Sequence, residues 1–132
     1  MALIALAASL APLAACSDDE QGSTGELCAA LADIDGPGTV FADFDPTDPE
    51  AALAQLRTAR VELGELQAAA PDEVRDAIEL EIDYVQALID GLADVPDGDA
   101  TAAVAVVHAT TEAHPDVQAA ADELEAFTVD SC

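Results

Sequence analysis

The chain has 132 residues, of which 28 are acidic and 3 basic, for a formal net charge of −25. Such a polyanion repels phosphate backbones and anionic headgroups, which excludes nucleic-acid partners and polybasic-type membrane attachment. The length suffices for one small domain and not for two.

The first element is an apolar leader. Residues 2–15 contain only Ala, Leu, Ile, Ser9 and Pro12, a run long enough for the apolar region of an export signal and shorter than the roughly 20 residues that span a bilayer. Residues 1–15 therefore read as a cleavable signal peptide. Export signals normally open with a basic segment, yet no Lys or Arg precedes Cys16, so the natural start is expected several residues upstream. Leu13-Ala14-Ala15-Cys16, followed at once by Ser17-Asp18-Asp19-Glu20, resembles a bacterial lipobox. The resemblance implies that the Cys16 thiol carries a diacylglyceryl group and becomes the acylated (palmitate-type) N-terminus of a lipoprotein on the outer face of a bacterial cell membrane, or that the chain is secreted if it is not lipidated. One acyl chain binds a membrane marginally, whereas two or more anchor it stably. The alternative is a buried leader helix with Cys16 as an ordinary thiol.

Residues 16–25, rich in Ser, Gly, Asp and Gln, read as a flexible acidic tether, and 26–132 as the folded domain. Within 23–34, Ser23 and Glu26 fit a capping box, and Leu27, Leu31 and Ile34 fall on one helical face. Asp35-Gly36-Pro37-Gly38 stops that helix. Thr39 to Pro46, carrying Val40, Phe41 and Phe44, reads as a loop whose aromatics plug the bundle. Asp48 and Pro49 suit the N-cap and first turn of a second helix, with Leu53, Leu56, Leu63, Leu66 and Ala70 as its core stripe. A break at Pro71 precedes a third helix with Val74, Ile78, Ile82, Val85, Ile89 and Leu92 facing inward. After the acidic turn 94–99, a fourth helix is expected over 100–113. Pro115 then either kinks that helix or, as favoured here, starts a fifth, in which Val117, Ala121, Leu124 and Phe127 share a face. No period-two strand pattern occurs. The expected fold is all-α, a small up-and-down bundle of four to five helices stapled by one disulfide.

The staple follows from a thin core. Leu, Ile, Val and Phe make up 27 of the 117 residues after Ala15, close to the roughly 20 % below which a highly charged chain tends to stay disordered. With Cys16 acylated, Cys28 and Cys132 form an even pair in an oxidising compartment. Two free buried thiols are the alternative.

The order of lipobox, acidic Gly/Ser linker, Glu26-Leu27-Cys28, a long helix ending in Ala68-Ala69-Ala70-Pro71-Asp72-Glu73-Val74, and a final amphipathic helix closed by Cys132 resembles small helical lipoproteins and secreted proteins of actinobacteria. What this implies is fold, export and a disulfide. It implies no activity, no cofactor and no catalytic residues.

Chemical motifs are sparse. Gly-x-Ser-x-Gly and phosphate-binding glycine loops are absent, and the serines beyond the leader (Ser17, Ser23, Ser131) lie in the tether or beside the C-terminus. His108 and His114, six apart, do not share the i, i+4 face that binds zinc. Asp43, Asp45 and Asp48 open like a calcium loop, but Asp48 stands where its sixth-position Gly belongs and Ala54 where its twelfth-position Glu belongs. Asp94, Asp97 and Asp99 form a second acidic loop of equal vagueness. The expectation is therefore a non-enzymatic envelope interaction module, anchored through Cys16 and meeting a basic protein or another envelope partner. The alternative is a surface protein that binds divalent cations weakly.

Overall fold

Three of the five helix starts are set by side chains that satisfy orphan N–H groups of the first turn. The computed structural model describes residues 22–34 and 44–132. The first helix, α1 (Thr24–Asp33), begins with the expected capping box: Glu26 N–H donates to Ser23 Oγ at 3.2 Å, and Ser23 N–H donates to the Glu26 carboxylate at 2.9 Å. The second, α2 (Pro49–Ala69), begins with the Asp48 carboxylate accepting from Ala51 N–H at 3.2 Å and with Pro49 in its first turn. Asp99 caps the fourth, α4 (Ala100–Ala113), through Ala102 N–H at 2.9 Å. The third, α3 (Asp72–Ala93), and the fifth, α5 (Val117–Ser131), have no side-chain cap. At the corner into α3, Arg75 instead donates to the Ala70 carbonyl at 2.8 Å and pairs with Asp72 at 3.3 Å. Replacing Ser23 with Ala is expected to lower stability by about 1 kcal/mol, measurable by urea denaturation.

The five helices make an all-α bundle, and no strand occurs among the described residues. Its long axis is the α2–α3 hairpin, which makes the most extensive helix–helix contact. On α2 the buried positions are Ala52, Leu56, Ala59, Leu63 and Leu66, with Ala70 at the cap. They recur at four, three, four, three and four residues, the spacing of a coiled-coil seam. Ala52 and Ala59 face the core in place of the expected Leu53, which is half-buried. A stripe judged on large side chains alone drifts off this seam, because close helix approach selects small residues there.

The last helices join from the other side. Ala103 of α4 is fully buried, and a Cβ on Gly91 of α3 would lie 2.6 Å from Val106 Cγ1, so α4 seats closely on α3 through small residues. Ala120 and Leu124 anchor α5. Gly98, in the α3–α4 turn, takes a left-handed φ of 78°, which glycine adopts without steric cost. A disulfide joins Cys28 in α1 to Cys132 at the end of α5, with the Cα atoms 5.6 Å apart.

One expectation shifts. Thr24 and Gly25 belong to α1, so the helical domain begins inside the stretch read as tether. Gly22 also packs on the end of α2, where a Cβ would run into the Ala69 carbonyl. Of the loop expected to plug the bundle, Phe44 does pack against the core. Val40 and Phe41 lie outside the described residues, as do the leader and Cys16.

Candidate functional site

Pro115 shapes the site. It disfavours helical backbone at the residue before it, and His114 accordingly leaves the helix at φ −122°, ψ 65°. The chain turns within His114–Asp116 and restarts as α5. Both α4 and α5 rest on α3, yet they scarcely touch each other. A wedge opens between them, with a volume of about 870 Å³, within the range of small-molecule sites.

The floor is one face of α3. Glu81, Tyr84 and Leu88 are three and four residues apart and line the wedge together. Val107 and Thr111 of α4 form one wall, and Val117, Ala121 and Val129 of α5 the other. Glu112 and Glu125, both exposed, stand among the lining residues.

Polar groups around the floor are mostly committed. Thr111 Oγ1 donates to the Val107 carbonyl at 2.9 Å. Its single proton being used there, it accepts from Tyr84 O–H, also at 2.9 Å. His114 Nδ1 faces the Thr110 carbonyl at 2.9 Å, which assigns the proton to Nδ1 and leaves Nε2 as an acceptor in the neutral ring. The His114 ring meets Tyr84 edge-on at 5.8 Å.

Glu81 is the exception. It is 8 % exposed and makes no side-chain hydrogen bond or ion pair among the described residues. Burial pushes its carboxyl up to about 7, because desolvation penalises the charged form. None of the three arginines lines the wedge: Arg57 and Arg60 belong to α2, and Arg75 to the first turn of α3. The cleft therefore combines apolar walls with one buried acidic group that has no counter-charge beside it.

The residues singled out from sequence fall elsewhere. Asp45 accepts from Thr47 N–H at 2.8 Å and from its hydroxyl at 2.6 Å, bonds that hold its carboxyl below the usual carboxylate range. Asp48 caps α2 and Asp99 caps α4, while Asp43 lies outside the described residues. Among the described residues no group of three His, Cys, Asp or Glu side chains is placed to hold a metal ion. His108 sits 3.4 Å from Glu112 on the exposed face of α4, whereas His114 lines the wedge. Among the described residues no helix is long and apolar enough to cross a membrane.

Sequence reasoning missed Glu81, although a signal was present. Counting inward positions of α3 from Val74 at alternate spacings of four and three gives 78, 81, 85, 88 and 92. A glutamate stands in that series where every other member is apolar. Compared with protein-family models, with characterised proteins and with solved structures, the chain matches none.

Proposed function

We propose that this chain is a non-enzymatic binding module, lipid-anchored through Cys16 on the outer face of a bacterial cell membrane, and that its working part is the wedge between α4 and α5. The observation that carries the reading is the cleft itself. An apolar hollow of about 870 Å³, left open where a bundle ordinarily closes its seam, exposes surface whose burial by a ligand is favourable. Glu81, the buried acid within it, has neither a hydrogen-bonded nucleophile nor a second carboxyl beside it among the described residues. A lone group of this kind suits recognition better than acid–base or covalent catalysis, both of which need a partnered group. Anchoring rests on Leu13-Ala14-Ala15-Cys16 and on the abrupt change to acidic residues after it.

The test is the intact mass of the natively produced protein, taken from the membrane fraction without reductant. The expected mass is that of residues 16–132 plus acyl groups and minus two hydrogens. An unmodified chain retaining residues 1–15 would overturn the anchor.

A further inference from the structure

We propose that the wedge binds an amphipathic organic cation, an alkyl- or aralkyl-ammonium, with its hydrocarbon against Leu88, Val107 and Ala121 and its ammonium on the Glu81 carboxylate. This deepens the reading of the wedge as a binding site and rests on it.

The polar chemistry of the cleft selects the sign of the ligand. The Tyr84 hydroxyl proton is given to Thr111, the Thr111 proton to the Val107 carbonyl, and the proton on His114 Nδ1 faces the Thr110 carbonyl. At the floor these bonds leave acceptors, the ionised Glu81 oxygens and, in the neutral ring, His114 Nε2, while on the α5 wall Gln118 gives one amide proton to Asp122 and keeps a second. A carboxylate or phosphate headgroup would find lone pairs opposite its own. An ammonium supplies up to three donors and the missing positive charge. Glu112 and Glu125 add negative potential around the cleft, and the chain's net charge of −25 raises the local concentration of cations. The apolar walls demand the hydrocarbon, because a small hydrated cation would leave them wet.

A proton balance follows. Below about pH 7 Glu81 carries a proton, and an ammonium arriving at its oxygens displaces that proton to solvent. Affinity should therefore rise as pH increases from 6 to 8, by about ten-fold if ionisation of Glu81 is the only change. Tyr84 of α3, His114 and Glu112 on the α4 side, and Glu125 of α5 also face this space. The Glu81→Gln variant separates the Glu81 contribution from theirs.

The experiment is calorimetric titration of the full chain at physiological ionic strength with three probes of equal length: decylamine, decanol and decanoate. Decylamine is expected to bind at least ten-fold more tightly than decanol at pH 8, with decanoate weakest. Glu81→Gln should bring decylamine to the decanol level and abolish the pH dependence. Ala121→Trp, which fills the wedge, should abolish binding of both while helical circular dichroism is retained. Equal affinity for amine and alcohol, or tightest binding of decanoate, would overturn the cation assignment and leave the cleft as a binding site. Amine binding that survives both substitutions would mean diffuse attraction to an acidic surface and would overturn the site. Failure of all three probes to bind would remove the binding reading of the wedge altogether.

Discussion

Replacing Cys28 and Cys132 with serine is expected to remove about 4–5 kcal/mol of stability. The bond spans a sequence separation of 104 residues, and tying off a loop of that size restricts the unfolded chain by about that much in the chain-entropy model. The magnitude matters because a small domain is stable by only about 5–15 kcal/mol in total, and this one has a thin core. The loss should also be uneven. Leu27 and Leu31 are the only buried side chains of α1, and α1 meets α5 over a small area, so α1 should loosen first. Urea denaturation with and without reductant measures the first effect, and hydrogen exchange on α1 amides the second. A loss below about 1 kcal/mol would mean that the unfolded chain is already compact without the bond.

Glu81→Gln is expected to stabilise the protein by about 2 kcal/mol at pH 8 and by almost nothing at pH 4. Folding raises the Glu81 carboxyl from an ordinary 4.5 to about 7. Below 4.5 both the folded and unfolded chains hold the proton, so the group imposes no penalty. Between 4.5 and 7 the unfolded chain releases it while the folded chain keeps it, and stability falls as pH rises. Above 7 the penalty is complete, ~3 kcal/mol for such a shift, reduced to about 2 because the carboxyl lines an open cleft rather than a sealed core. The difference between wild type and variant isolates Glu81. The check is the urea midpoint of each protein across pH 4–8; parallel curves would mean that the carboxyl is as well hydrated in the fold as in the unfolded chain.

How much of this could be read from the sequence depended on the range of the physics involved. Caps were legible, because Ser23 with Glu26, Asp48 with Pro49, and Asp99 act within one turn. The pairing of Cys28 with Cys132 followed from parity and compartment. Faces were legible to within one position: Leu56, Leu63 and Leu66 are buried as expected, whereas Ile89 is half-buried and the unassigned Leu88 is buried. The wedge was not legible. Whether α4 and α5 close on each other depends on where Pro115 sends the chain relative to α3, a long-range matter that periodicity does not encode. Glu81 became visible only once its neighbours in space were known, since one acid among many carries no mark of its burial.

Gly22 sets the reach of the domain. Because its backbone lies against Ala69 and admits no Cβ, this point of the chain is held at the α2–α3 corner. Six residue steps separate it from Cys16, at most ~20 Å of fully extended backbone. That is shorter than α3 itself, whose 22 residues extend ~33 Å. A domain moored at Cys16 could not sweep the surrounding space in search of distant targets. It would stand on its corner within one molecular diameter of the bilayer, sampling what partitions into the interface beneath it.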